Sequence, residues 1–230
     1  NNLRQTNMKL AESKIVGIFP TPVYITQRET LLTSEEQKEI DEIIENGMIE
    51  SVGYKEFQIP HPELRSISKN KYIFNDKLKS IKEFCEDHID NYVKEVIKPR
   101  KELEFYITQS WLNVSEPGGS HGSHAHQNSI ISGVFYISSP VGDGISFYDP
   151  NIKIKRVIKI DPDIENPSQW SGEITTAQLV TNTLVLFPSW LDHGVPFNSE
   201  QTETRISLAF NVYFVGTIGD GSDLTELILR

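Results

Sequence analysis

The 230-residue chain is poor in sulfur, with one cysteine, Cys85, and two methionines. A single cysteine excludes both an intramolecular disulfide and a cysteine-based zinc site. Cys85 falls among apolar residues on a predicted helix, so we expect a packed thiol rather than a reactive one. The sequence is therefore compatible with a reducing compartment, and we expect a cytoplasmic protein (in the host cytoplasm if phage-encoded).

Long apolar runs and excess basic charge are also missing. No run approaches the roughly 20 apolar residues of a membrane helix, so we expect no membrane association. Residues 1–13 lack the pattern of a signal peptide and are expected to be a disordered lead or an expression remnant. Acidic residues outnumber basic ones by 32 to 22, which gives a net charge of −10. Since nucleic-acid binders carry a basic face, nucleic acid is not an expected partner.

Helical patterns occupy the first half of the chain. One helix is predicted after Thr33 or Ser34, both good caps, and is expected to end at Gly47. A longer helix is predicted from about Asp76 to Lys98. Together these patterns predict a helical region ahead of the rest of the fold.

After residue 99 the pattern changes to short segments rich in Val, Ile, Phe, Tyr and Thr, separated by turn residues. The predicted strands are 104–115, 129–138, 144–149, 154–160, 174–181, 183–188 and 206–215. Consecutive strands without intervening helices are typical of an antiparallel sandwich or barrel. We therefore predict a two-sheet β domain preceded by helices.

The stretch "GGSHGSHAHQN" holds three of the six histidines, His121, His124 and His126. A solvated polar loop is the simple interpretation, and a metal site needs a further ligand elsewhere. Residues two apart on a strand point to the same face, so His124 and His126 can converge on one ion. His193, just past the predicted strand 183–188, is the candidate third ligand. Three ligands would leave open positions, as in catalytic metal sites.

Arg205 follows His193 by twelve residues and leads into the next predicted strand. We expect antiparallel pairing of the two strands to bring both residues into one site. A guanidinium offers a two-pronged donor to a carboxylate. A metal beside a buried arginine would fit a small acid bound end to end.

Four segments together resemble the iron(II)- and 2-oxoglutarate-dependent oxygenases, and more closely a 2OG-Fe(II) oxygenase family of marine bacteria and their phages. They are "IFPTPVY", "SWLNVSEPGGSHGSHAHQNSIISGVFYISSP", "GISFYDP" and "LVLFPSWLDHGVPFNSEQTETRISLAF". The resemblance implies a mainly β fold with N-terminal helices (α+β), a double-stranded β-helix, or jelly-roll, cupin-like barrel, buttressed by helices. It implies a single oxygenase domain over 14–230, with helical support at about 33–98 and the barrel core at about 104–216.

The resemblance also implies Fe(II) as cofactor and 2-oxoglutarate as co-substrate. His124 and His193 match ligand positions of the family. The implied 2-oxoglutarate contacts are Arg205 and Ser207 at the far carboxylate, Tyr136 as a phenol donor, and Asn113 and Asn128 as further polar candidates.

His126 departs from the usual metal motif of the iron(II)- and 2-oxoglutarate-dependent oxygenases, which has Asp or Glu at this position. Either His126 ligates in its place, giving a three-histidine site with His124 and His193, or it orients substrate or water. We favour ligation. Three neutral imidazoles cancel none of the metal's charge, so a dicarboxylate co-substrate would be favoured electrostatically. His121 is expected to be a bystander, and Asp149 is expected to be structural.

The predicted function is an Fe(II)/2-oxoglutarate-dependent dioxygenase that hydroxylates a C–H bond, releasing succinate and CO₂. Its prime substrate would be a peptide side chain or a metabolite, and a homodimer is compatible with the sequence. One alternative is a cupin-type metal enzyme, although Ile130 and Ile131 stand where cupins place a glutamate. Another is a non-catalytic metal-binding β-sandwich module.

Overall fold

The computed structural model describes residues 15, 17–50, 65–152, 170 and 172–230. The predicted strand 154–160 lies outside the described residues. The helices are α1 (Ser34–Gly47), α2 (Ile73–Asp76) and α3 (Lys79–Tyr92), which continues into a π-helical turn at Val93–Ile97. The strands are β1 (Tyr24–Gln27), β2 (Met48–Glu50), β3 (Arg65–Ser68), β4 (Leu103–Ser115), β5 (His121–His124), β6 (Ile131–Ser138), β7 (Gly144–Tyr148), β8 (Ile174–Gln178), β9 (Thr183–Pro188), β10 (His193–Val195), β11 (Arg205–Ile218) and β12 (Leu227–Leu229).

The strands form two antiparallel sheets. The major sheet has the order β1-β9-β6-β11-β4-β3-β2, with β12 also paired to β11. The minor sheet has the order β5-β10-β7-β8. The predicted fold class, mainly β with N-terminal helices, is confirmed. The region 33–98 also contributes strands β2 and β3, so it extends the major sheet as well as covering it.

The two faces of the major sheet carry different residues, because successive side chains of a strand point to opposite faces. One face packs against the helices and the other lines a cavity. The outer face is apolar and packs on the helices in one core, which includes Leu112, Phe135, Leu208 and Phe210. A Cβ on Gly133 would lie 2.2 Å from Phe210 Cζ, so only glycine leaves room for that ring. The inner face carries the polar residues that line a cavity between the sheets.

Helix α1 follows its predicted signals. Thr33 is the N-cap, and it forms a capping box with Glu36, whose carboxylate accepts from the Thr33 N–H at 2.7 Å. This arrangement satisfies two backbone donors at the helix start that would otherwise lack partners.

The long helix predicted from about Asp76 to Lys98 is present but begins at Lys79, and it runs through the π-helical turn to Ile97. The chain forms the short helix α2, passes through Leu78 in the left-handed region (φ 56°), and starts α3 at Lys79. Leu78 is fully buried, and its N–H donates to the Glu39 carboxylate at 2.7 Å. Burial of Leu78 in this conformation accounts for the later start of α3, and helical periodicity alone does not show it.

No helix among the described residues is long and apolar enough to cross a bilayer.

Candidate metal centre

Three histidines converge at one end of the cavity. His193 on β10 is the direct cross-strand partner of His124 on β5. His126 lies just past β5, where its N–H donates to the Ser189 carbonyl at 2.9 Å. Potential ligand atoms of the three side chains lie within 4.8 Å of one another, so one ion could reach all three. The loop after β5, rather than strand alternation, directs the His126 ring inward.

Hydrogen bonds set the tautomer of each of these rings. Every Nδ1 faces an oxygen that can only accept, so every Nδ1 carries the proton. The acceptors are the Gly122 carbonyl for His124 at 3.0 Å, Asn211 Oδ1 for His126 at 2.7 Å, and the Leu191 carbonyl for His193 at 2.9 Å. Each Nε2 is left with a lone pair, the form that ligates a metal.

His121 has the opposite arrangement. Its Nδ1 lies 3.3 Å from Arg65 Nη1, and a guanidinium can only donate. Nδ1 therefore accepts, and the proton resides on Nε2. The His121 ring lies 4.1 Å from the His124 ring, but its atoms are not among those that could share the ion. This geometry supports the expected role of His121 as a bystander.

Burial favours the neutral forms of His126 and His193. Desolvation, with the nearby His124 and His126, lowers the pKa of His193 to about 3. Desolvation likewise lowers the pKa of His126, although its hydrogen bond to Asn211 opposes the shift. Neutral imidazoles at physiological pH can bind a cation without first losing a proton.

Aromatic rings pack against two of the histidines. The Trp111 ring stacks on His126, with centroids 5.8 Å apart and planes 20° apart. The Phe187 ring lies 4.5 Å from the His193 ring. These contacts restrict ring rotation, which pre-organises the three nitrogens.

Arg205 provides a cation in the same cavity. It is 6 % exposed and stands on β11, with Nη1 3.4 Å from Asp143 Oδ1. Asp143 is itself held by the Ser139 hydroxyl and by the Gly144 N–H, both at 2.8 Å. Arg205 and His193 lie on opposite sheets, so the expectation that paired strands bring them together is wrong. The cavity between the sheets brings them together instead.

Two buried donors in this region, the Arg205 Nε–H and the neighbouring Tyr136 hydroxyl, lack partners within the described part of the chain. The Arg205 Cζ lies 5.3 Å from the centre of the Tyr136 ring. Burial raises the pKa of Tyr136 to about 12, so its hydroxyl stays a donor. Because an unsatisfied buried donor costs about 1–3 kcal/mol, two of them beside a cation fit a site that receives an anion.

Of the other residues predicted to contact 2-oxoglutarate, two line the cavity and one does not. Ser207 and Asn113 line the cavity. Asn128 does not, since it is exposed on a turn in the left-handed region (φ 54°), so the structure places it away from the site.

Sequence reasoning missed Arg65, Asp143 as the partner of Arg205, and Asn211. Asn211 continues the inner-face alternation of Arg205, Ser207 and Ala209, and that spacing could have revealed it. Arg65 reaches the site because β3 pairs with β4, a long-range contact without a local signal.

Residues 109–211 match the model of a family described as "Putative 2OG-Fe(II) oxygenase". The matched segment contains all three converging histidines and Arg205. A search of curated protein sequences found no match.

Solved structures share the fold at low identity. HygX from Streptomyces hygroscopicus, with nickel, 2-oxoglutarate and hygromycin B bound, is 10 % identical over 84 % of this chain and 82 % of its own, with a TM-score of 0.51. A Pseudomonas putida prolyl-4-hydroxylase is 11 % identical over 83 % and 92 %, with a TM-score of 0.52. The carbocyclase SnoK from nogalamycin biosynthesis is 11 % identical over 84 % and 79 %, with a TM-score of 0.55. These likenesses confirm the double-stranded β-helix.

Proposed function

We propose that this chain is a 2OG-Fe(II) oxygenase that hydroxylates a C–H bond of its substrate and releases succinate and CO₂. The family match over residues 109–211 supports the family, the enzyme class and the two cofactors predicted from the sequence. One observation carries the proposal further. Three imidazoles with ligating Nε2 atoms share a cavity with a buried arginine and an unpartnered phenol.

We assign the metal to His124, His126 and His193, each through Nε2. When bound, Fe(II) supplies the oxygen activation that is coupled to decarboxylation of 2-oxoglutarate. The protein holds the ring orientations through the three Nδ1 hydrogen bonds. These bonds make the histidines ready ligands before the ion arrives.

Arg205, Tyr136 and Ser207 are the proposed receptors for the far carboxylate of 2-oxoglutarate. Arg205 Nε and the Tyr136 hydroxyl are donors without a hydrogen-bond partner among the described residues. Asp143 fixes the guanidinium from the other side through Nη1. The Asn113 amide lines the same cavity, although its oxygen accepts from Arg65 at 3.3 Å. Phe187 and Ile145 also line the cavity, and we expect their apolar side chains to limit the access of water to the bound acid.

His126 in place of a carboxylate changes the charge of the centre. Three neutral ligands leave the full charge of the cation, and the described lining of the cavity includes no Asp or Glu. The dianionic co-substrate then becomes the main counter-charge. We expect 2-oxoglutarate binding to depend strongly on the metal.

The prime substrate is proposed to be a peptide side chain or a small metabolite. One structural neighbour is a prolyl-4-hydroxylase and another has hygromycin B bound. We also propose a single catalytic domain over 14–230, active in the cytoplasm.

Arg205→Met tests the co-substrate site. We expect the Kd of 2-oxoglutarate for Co(II)-loaded protein to rise about 100-fold, since a charge-assisted bidentate contact is lost. The metal Kd, measured without 2-oxoglutarate, should change less than about threefold. Arg100→Met is the matched control, because Arg100 is exposed and pairs with Asp220 away from the cavity. Calorimetry measures both constants.

A wild-type 2-oxoglutarate Kd in Arg205→Met would show that Arg205 does not hold the far carboxylate. Wild-type protein that binds neither Fe(II) nor 2-oxoglutarate would refute the oxygenase. Oxygen-dependent succinate formation by the wild type would support it.

A further inference from the structure

Asn211 is a buried polar residue whose side chain contacts His126, the histidine that stands where the related motif has a carboxylate. It is 9 % exposed on β11 and follows Arg205, Ser207 and Ala209 on the inner face. The register between β11 and β4 shifts between Asn211 and Val212, because β4 has one extra residue, Thr108, at this step. Asn211 Oδ1 accepts from His126 Nδ1 at 2.7 Å.

A chain of hydroxyls surrounds the Asn211 amide. Ser132 Oγ lies 3.2 Å from Asn211 Oδ1 and 2.9 Å from Ser189 Oγ. Ser189 in turn donates to Ser129 at 2.8 Å, and Ser129 donates to backbone carbonyl groups. The network is buried and anchored to strand backbone at its far end, so the amide oxygen has a defined position.

A ligating histidine needs its second nitrogen held by an acceptor, which fixes the tautomer and the ring orientation. For His124 and His193 that acceptor is a nearby backbone carbonyl, two residues away in each case. His126 instead depends on a side chain 85 residues away. Its tautomer can therefore be changed by one substitution, unlike those of the other two.

We propose that Asn211 is a positioning residue that holds His126 in the Nδ1–H tautomer and thereby makes it the third metal ligand. The inference rests on the proposed function, since it concerns the metal of that same site. It explains how an imidazole serves where the related motif has a carboxylate. The amide supplies an acceptor without adding negative charge to the centre.

Imidazole nitrogen NMR on the metal-free protein tests the tautomer directly. We expect proton occupancy on Nδ1 of His126 in the wild type and in Asn211→Asp, which retains an acceptor. Asn211→Leu, close in size but without an acceptor, should shift the proton wholly or partly to Nε2. A wild-type His126 with its proton on Nε2 overturns the proposal, even if no variant folds.

Metal titration gives the second measurement. The Kd of Co(II) should rise about 10–100-fold in Asn211→Leu, the usual cost of losing such a partner. In Asn211→Asp it should stay within about threefold of the wild type or fall. Gln109→Leu is the matched control, because Gln109 is the exposed cross-strand partner of Asn211. Its Kd should stay within about twofold.

The outcomes separate the two proposals. Wild-type Co(II) affinity in Asn211→Leu, or failure of Asn211→Asp to retain it, overturns the role of Asn211. A purely structural role would penalise both variants alike. If the predicted tautomers appear by NMR but the wild type binds no metal, the oxygenase assignment fails while the hydrogen-bond assignment holds.

Discussion

Four histidines line one cavity, yet their ring nitrogens are of two kinds. His124, His126 and His193 donate through Nδ1, whereas the Nδ1 of His121 accepts from Arg65. The difference comes from neighbouring atoms and not from residue type. A single hydrogen-bond partner thus decides whether an imidazole can ligate.

Tyr136→Phe should weaken co-substrate binding with little loss of fold stability. The hydroxyl has no partner among described residues, so its removal leaves no new unsatisfied group. We expect the Kd of 2-oxoglutarate to rise about 10-fold, the value of one charge-assisted hydrogen bond. Calorimetry on Co(II)-loaded protein measures this constant, and Tyr106→Phe, at an exposed position, serves as control. Unchanged affinity would remove Tyr136 from the site.

Spacing alone could predict most ligand candidates, because histidines are few and clustered in the chain. It could not predict the tautomers, which depend on Asn211 and on backbone carbonyls brought near by folding. Asn128 was misplaced for a similar reason. Its proximity to His126 in sequence gave no information about the turn that directs it outward.

At the scale of elements, the proposed metal ligands depend on two very short strands. β5 has four residues and β10 has three, and they pair with each other at His124 and His193. Segments this short carry little propensity signal, so neither strand was predicted. Leu78 gives the parallel case among helices, since its burial moves the start of α3 from the predicted Asp76 to Lys79.

Gly194→Ala should disturb the metal site through the backbone. A Cβ at this position would lie 2.6 Å from the His121 carbonyl oxygen on β5, so the two strands must separate. Separation moves His124 away from His193, and we expect the Kd of Co(II) to rise at least about 10-fold. Gly122→Ala is the control, because its Cβ would meet nothing within 4 Å. Equal metal affinity in the two variants would contradict this account.

At the scale of the whole molecule, the buried Glu36 side chain connects distant parts of the N-terminal region. Its carboxylate accepts from the Thr33 N–H and the Ser80 hydroxyl and pairs with Arg28 at 2.9 Å. Burial alone would raise its pKa, but the hydrogen bonds and Arg28 outweigh desolvation and lower it below 4.5. Three segments of the chain therefore meet at one ionised group.

Glu36→Gln should destabilise the protein at neutral pH and flatten its response to acid. A lowered folded pKa means that the carboxylate contributes stability above its ordinary pKa and loses it as pH falls through the folded value. We expect a deficit of about 1–3 kcal/mol at pH 7 that shrinks below pH 4.5. Urea unfolding across pH measures it, with exposed Glu35→Gln as control. A constant deficit at all pH values would argue against the ionised network.

The overall architecture could be predicted because it depends on patterns repeated over many residues. Alternating strands after residue 99 and the stripe of α1 both follow from burial on one face. The assignment of strands to sheets could not be predicted. His193 and Arg205 are twelve residues apart, yet they belong to different sheets, and long-range pairing decides this.

The different roles of the two faces of the major sheet have a consequence for how such a protein evolves. The residues that hold the domain together and those that shape the cavity alternate along the same strands. Val134 and Ala209 line the cavity that holds the three histidines, yet neither belongs to the buried residues of the helix-facing core. Mutation can therefore reshape the substrate space one side chain at a time while the scaffold persists. That separation makes the cavity an evolvable surface and a natural target for a combinatorial library.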